Sequence, residues 1–154
     1  MGKRSTQAPG YESLTRKSKA QKDQRREAVL QRNSMTIRYL IDENLEPLYK
    51  AQLLIKKPDL MVYSLGDPGT PSKGTLDPEI LCWCEENDFI LITNNRKSMP
   101  AHLVVHLSQG SHIPGIITLN SEMSVGGTIE ELILIAEEGN PSEYQDRIVY
   151  LPVT

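Results

Sequence analysis

The stretch YLIDENLEPL, residues 39–48, places two carboxylates and an amide directly after three apolar residues. Asp42, Glu43 and Asn44 therefore follow the predicted end of a buried strand. An unpaired buried carboxylate is energetically costly, so two acids at this position need a physical reason. One reason is a hard divalent cation bound at the strand tip, because oxygen ligands select Mg²⁺ or Mn²⁺.

Further oxygen-bearing side chains follow other predicted strands or open predicted helices. They are Asp77 and Glu79 at a helix start, Thr93, Asn94 and Asn95 after a strand, and Asn120 after the next strand. Ligands of open parallel sheets bind outside the carboxyl ends of the strands, so we expect these groups to converge at one edge. Carboxylates that meet there repel each other unless a cation lies between them. A bound Mg²⁺ polarises a phosphoryl oxygen and activates water, which suits phosphate chemistry.

The same acids have a purely structural alternative. Asp42 and Glu43 suit the first turn of a helix, where acids complement the helix dipole. The D-P-E sequence from Asp77 is equally ordinary at a helix start, with Asp77 as the N-cap and Pro78 as the first helical residue. The residue types alone leave both interpretations open.

Alternating strands and helices must position these side chains. The predicted strands are TIRYLI (36–41), LMVYSL (60–65), FILIT (89–93), GIITL (115–119) and RIVYL (147–151), and the predicted helices cover 45–57, 77–87, 99–109 and 128–138. The last helix is expected to open with a capping box of Thr128 and Glu131 and to end at Gly139. This alternation predicts an α/β fold with a mostly parallel sheet and helices on both faces.

Three motifs in this order resemble the PIN-like superfamily. They are Asp42-Glu43-Asn44 at the first strand end, Asp77-Pro78-Glu79-Ile80-Leu81 at a helix start, and ITNNRKSMP after a later strand. The chain is most similar to small bacterial PIN-like proteins that open with a strand and D-E-N, over about residues 36–151. The resemblance implies a PIN-like three-layer α/β/α sandwich over residues 35–154.

PIN-domain proteins are typically metal-dependent ribonucleases, and many are toxins of toxin–antitoxin pairs. The resemblance therefore implies Mg²⁺- or Mn²⁺-dependent hydrolysis of RNA phosphodiester bonds. The implied site residues are the principal metal ligand Asp42, the second ligand Asp77 or Glu79, the supporting acid Glu43, Asn95 as a further ligand or water-orienting group, and the phosphate-binding Arg96 and Lys97.

The chain departs from the PIN-like pattern at two positions. The family often has T-x-D-x-D-F after this strand, and here Asn95 stands at the first Asp and Lys97 at the second. An amide offers a carbonyl oxygen, but it brings no charge and cannot act as a base. The alternative function is therefore a catalytically weakened or inactive PIN-like module that binds RNA or a protein partner.

Charge divides the chain. The net charge is −3, yet residues 1–33 hold nine Lys and Arg against three Asp and Glu. We expect residues 1–34 to form a basic, flexible or marginally helical arm that contacts phosphates or stays solvated, with Met35 as an alternative translation start. The expected partners are single-stranded or structured RNA, an antitoxin protein and, in a homodimer, a second copy of the chain.

Other motifs carry less weight. His102 and His106 share a helix face at a spacing that can bind zinc, but the glutamate of H-E-x-x-H is missing, so an ordinary helix face is favoured. The sequence has neither an apolar run of about 18 residues nor a secretory signal. The expected location is the cytoplasm.

Overall fold

Five strands alternate with four helices in the part of the chain that the structure describes. The computed structural model describes residues 36–153, so the predicted arm over residues 1–34 lies outside the described residues. The elements are β1 (Arg38–Ile41), α1 (Pro47–Lys56), β2 (Met61–Ser64), α2 (Asp77–Asn87), β3 (Ile90–Thr93), α3 (Met99–Ser108), β4 (Ile116–Thr118), α4 (Val125–Glu138), a 3-10 turn (Pro141–Glu143) and β5 (Ile148–Tyr150). The predicted alternation is confirmed.

The five strands form one parallel sheet in the order β2-β1-β3-β4-β5. Leu40 pairs with Leu91, Leu91 with Ile116 and Ile116 with Ile148, so a row of aliphatic residues crosses four strands. The chain moves from β1 outward to β2 and then returns to the other side of β1 to form β3. The carboxyl ends of β1 and β3 therefore border the point at which the winding direction reverses.

Helices cover both faces of the sheet, which confirms the three-layer α/β/α arrangement. Successive strand residues point to opposite faces, so Tyr39 packs with Leu53 of α1 and the next residue, Leu40, packs with Leu81 of α2. Helix α4 shares the first face with α1, and α3 shares the second with α2. The buried Tyr39 hydroxyl donates a 2.7 Å hydrogen bond to the Leu132 carbonyl, which joins the central strand to α4.

The start of α4 differs from the prediction. The helix begins at Val125 rather than Thr128, and Ser124 is its N-cap, accepting a hydrogen bond from the Gly127 N–H. Thr128 is buried inside the first turns, and its hydroxyl donates to the Ser124 carbonyl. The predicted Thr128 capping box is therefore wrong, because the cap lies four residues earlier and Gly126 and Gly127 belong to the helix.

The N-cap of α2 also differs from the prediction. The helix begins at Asp77, but Leu76 takes the N-cap position and makes no side-chain hydrogen bond there. Pro78 still lies in the first turn, where its missing N–H leaves no helical hydrogen bond unmade. The Asp77 carboxylate is consequently available for contacts with other elements.

No helix within residues 36–153 is long and apolar enough to cross a membrane. The longest of them, α4, has 14 residues, whereas a transmembrane helix needs about 20 apolar residues.

Candidate active site

Asp42 lies directly after β1, and only 8% of the residue is exposed. Its Oδ1 accepts a 2.7 Å hydrogen bond from the Glu43 backbone N–H, and its Oδ2 accepts one of 2.8 Å from the Thr93 hydroxyl. Burial raises the pKa of Asp42, the two hydrogen bonds oppose that increase, and the charges of Asp77 and Glu43 add to it. This carboxylate is stabilised by whatever neutralises it, whether a proton or a cation.

Thr93 is the fully buried partner of Asp42 at the end of β3. Ile41 pairs with Ile92, so the residues that follow each of them lie side by side. The Thr93 hydroxyl donates to Asp42 and accepts a 3.0 Å hydrogen bond from the Asn95 backbone N–H. Sequence reasoning places Thr93 at the strand end without a role of its own, because its role depends on β1 and β3 being neighbours.

Asn95 connects the β3 end to two helices. Its Nδ2 donates to the Asp77 carboxylate at 3.2 Å and to the Ser98 hydroxyl at 2.7 Å. Its Oδ1 accepts a 3.2 Å hydrogen bond from the Ser98 backbone N–H, at the start of α3. The amide thus presents its donor, not its carbonyl oxygen, to Asp77. In this arrangement Asn95 orients an acid, and its carbonyl oxygen is already engaged.

Asp77 has a second neighbour that the sequence did not indicate. His102 of α3 places Nε2 at 3.5 Å from the Asp77 Oδ2, and about a quarter to a third of each side chain is exposed. His106, one turn later, is buried and lies 3.2 Å from Glu85 Oε1. The two histidines therefore face different partners, and only His102 adjoins the acidic cluster.

Glu43 is turned towards the loop of residues 66–75. It is exposed, and its Oε1 accepts a 2.7 Å hydrogen bond from the Gly74 N–H. The same loop is held at its other end by Asp67, which accepts hydrogen bonds from the Ser64 N–H at 2.8 Å and the Lys50 ammonium at 2.7 Å. Glu43 therefore anchors a loop beside the carboxyl edge while its charge still acts on Asp42.

The remaining predicted site residues differ in their contacts with the rest of the protein. Glu79 is exposed, and its side chain forms no hydrogen bond or ion pair with another described residue. Residues two apart on a helix point in different directions, so Glu79 does not share the direction of Asp77. Arg96 and Lys97 are both exposed; Arg96 donates a 3.4 Å hydrogen bond to the Leu119 carbonyl.

The described residues form no closed metal cage. Within residues 36–153, no group of three or more His, Cys, Asp or Glu side chains is arranged to hold a metal ion. Mg²⁺ is commonly bound by only one or two carboxylates and keeps several waters. Asp42 and Asp77 are the two carboxylates that could hold such an ion, and the charge of Asp77 adds to the rise in the pKa of Asp42.

A separate surface cavity lies away from this cluster, on the α1–α4 layer. Its volume is about 200 Å³, and it is lined by Lys56, Ile129, Glu130, Ile133, Leu134 and Glu137. None of the predicted site residues contributes to it. The chemistry-bearing groups are instead gathered where β1 and β3 end, which is the position at which doubly wound sheets bind their ligands.

Comparison with known proteins adds no relative. The chain matches no protein-family model, no curated protein and no solved structure.

Proposed function

We propose that this protein is a PIN-like, metal-dependent endoribonuclease that hydrolyses RNA phosphodiester bonds with Mg²⁺ or Mn²⁺. The observation that supports the proposal best is the position of Asp42. It is a buried carboxylate at the winding reversal, hydrogen-bonded to Thr93 and within electrostatic reach of Asp77. As a cellular role we propose the toxin half of a toxin–antitoxin pair in the cytoplasm, in keeping with the PIN-like resemblance.

In this proposal Asp42 and Asp77 hold the cation. When bound, the cation polarises the phosphoryl oxygen and lowers the pKa of the attacking water. The Thr93 hydroxyl and the Glu43 N–H fix the orientation of the Asp42 carboxylate, and the Asn95 amide fixes that of Asp77. We assign the second-ligand role to Asp77 rather than Glu79, because Asp77 belongs to this hydrogen-bonded cluster.

Two exposed cations in the loop after β3 suit a phosphate of the substrate. Arg96 and Lys97 directly follow Asn95 and are exposed. A guanidinium forms two parallel hydrogen bonds with a phosphate, and an ammonium contributes a point charge. Lys97, which stands where the PIN-like pattern often has an acid, would then bind substrate instead of metal.

A second candidate function is a non-catalytic PIN-like module that binds RNA or a protein partner. Asn95 favours it, since its carbonyl oxygen is engaged by the start of α3 and its amide donates to Asp77. A site with two carboxylates and no third acid binds Mg²⁺ more weakly than a more acidic one. Such a module would retain RNA without hydrolysing it.

A cleavage assay separates the two functions. Labelled single-stranded RNA is incubated with the protein in Mg²⁺, in Mn²⁺ and in EDTA, alongside the Asp42→Asn variant. Asp59→Asn is a matched control, because the Asp59 side chain is 81% exposed and precedes β2 at the opposite edge of the sheet. We expect cleavage that requires the metal, persists in Asp59→Asn and is lost in Asp42→Asn.

Each outcome has a defined meaning. Cleavage that survives in Asp42→Asn would remove Asp42 from the mechanism and refute the proposed site. Absence of cleavage by folded wild-type protein that still binds RNA would favour the binding module. Thermal denaturation supplies a readout without turnover: Mg²⁺ or Mn²⁺ should raise the Tm of the wild type and leave that of Asp42→Asn unchanged.

A further inference from the structure

Arg96 and Tyr150 form a cation–π pair at the carboxyl edge of the sheet. The Arg96 Cζ lies 5.0 Å from the centroid of the Tyr150 ring. Tyr150 is the last residue of β5 and is 42% exposed. Arg96 also donates to the carbonyl of Leu119, which directly follows β4. The pair therefore extends from the loop after β3, across the end of β4, to the end of β5.

Core packing does not account for this pair. Tyr150 belongs to neither of the two core clusters formed by the described residues, and Arg96 is exposed. Aromatic rings and guanidinium planes are the protein surfaces on which unpaired bases stack. A cation held against a ring also keeps its plane oriented, which reduces the entropy lost when a ligand stacks upon it.

We propose that Arg96 and Tyr150 form a stacking subsite for a nucleobase of single-stranded RNA. This inference rests on the proposed function, because it takes RNA as the ligand of the same edge. Neighbouring strands lie about 4.8 Å apart, so β5, three strands from β1, is about 14 Å from the β1 end. A few nucleotides of extended strand cover that span. The base on the subsite is therefore a flanking one, and its phosphate chain leads to Asp42 and Asp77.

RNA binding in EDTA tests the subsite without turnover. The probe is a labelled single-stranded oligonucleotide of about ten nucleotides, compared with an abasic chain of the same backbone. Tyr150→Leu should weaken binding of the base-containing probe about tenfold, whereas Tyr150→Phe should retain it. On the abasic chain the wild type should bind more weakly, and Tyr150→Leu should cause no further loss. Arg96→Lys, which keeps the charge but loses the plane, should also weaken binding of the base-containing probe.

Three results would overturn the inference. They are an affinity of Tyr150→Leu within about twofold of the wild type, an equal loss on both probes, and wild-type protein that binds neither probe. Failure of the proposed function is recognised by a separate result: metal-dependent cleavage that persists in the Asp42→Asn variant. A protein that stacks bases through Tyr150 and never cleaves RNA would support the stacking subsite and refute the proposed nuclease activity.

Discussion

At the scale of single residues, Asp42 combines two features that rarely occur together. Its carboxylate is nearly buried, and its close hydrogen-bond donors are one backbone N–H and one neutral hydroxyl. Neutral donors do not offset the loss of hydration of a full charge, so the pKa of Asp42 is raised. A bound divalent cation would supply the missing positive charge, which is why this residue carries the functional proposal.

Asp42→Asn should therefore stabilise the metal-free protein at neutral pH. Because folding raises the pKa of Asp42, the native state binds the proton more tightly than the unfolded state. The stability from this group is present at acidic pH and lost as the pH rises through the folded pKa. An Asn can keep the hydrogen bond from the Glu43 N–H through its Oδ1, and its Nδ2 can donate to the Thr93 hydroxyl oxygen, which reverses the direction of that bond and removes the charge. In EDTA, the Asp42→Asn variant should have a higher Tm than the wild type at neutral pH. This difference in Tm should decrease as the pH falls.

Thermal denaturation across that pH range measures the effect, with Asp59→Asn as the exposed control. A lower Tm for Asp42→Asn than for the wild type at neutral pH would show that the charge is compensated within the protein, contrary to the prediction.

The residues of the site differ in how far sequence could identify them. Asp42 stands out because acids after an apolar run violate the burial rule locally. Thr93 and His102 carry no such signal, since each matters only through a partner on another element: Asp42 at 2.8 Å and Asp77 at 3.5 Å. The expectation that Asn95 offers its carbonyl oxygen also depended on an amide orientation that only the position of Ser98 determines.

At the scale of elements, a buried polar network stabilises the amino edge of the sheet, opposite the candidate active site. His106 Nε2 lies 2.8 Å from the His112 carbonyl oxygen and 3.2 Å from Glu85 Oε1. Glu85 Oε2 accepts a 3.1 Å hydrogen bond from the His112 N–H. Glu85 and His106 are nearly inaccessible, so the network joins α2, α3 and the segment before β4 where water competes little.

Glu85→Gln should destabilise the fold by about 1–3 kcal/mol, because its amide would direct a donor at the donor on His106 Nε2 and leave a buried group unsatisfied. Urea unfolding measures the change, and Glu130→Gln on the exposed side of α4 is the control. The prediction also requires metal-dependent cleavage by the folded fraction to be unchanged, because Glu85 lies at the amino edge. A loss of stability no larger than that of Glu130→Gln would contradict the buried network.

The element boundaries show why local sequence patterns predict the order of strands and helices better than the residues at which they begin and end. All five strands were predictable from short, nearly continuous apolar runs. Such runs signal strands buried on both faces, which holds for β1, β3 and β4, whereas the edge strands β2 and β5 are partly exposed. The start of α4 was not, because Gly126 and Gly127 have poor helix propensity and Thr128 imitates a cap. The supposed capping glutamate, Glu131, instead accepts a 3.0 Å hydrogen bond from the Val153 N–H. A contact with the end of the chain thus overrides the local signal.

At the scale of the whole molecule, the net charge must be reconciled with the proposed RNA ligand. Residues 34–154 carry eight Lys and Arg against seventeen Asp and Glu, so this part repels a polyanion on average. Arg96 and Lys97 provide positive charge at the candidate site, and the excess of Lys and Arg lies in residues 1–33. Affinity for RNA should therefore depend on the N-terminal sequence, whereas cleavage chemistry should depend on the strand ends.

Replacing Lys22, Arg25 and Arg26 by Gln in the full chain separates these contributions. Each phosphate neutralised on a single strand contributes about 0.7 to the slope of log affinity against log salt. The slope should therefore become shallower by about 2 if all three cations contact phosphates. Fluorescence anisotropy over a salt series measures it. Lys56→Gln with Arg147→Gln, two exposed cations at the amino edge, is the control and should leave the slope unchanged. An unaltered slope in the triple variant would remove these three cations from the RNA contacts and contradict the prediction.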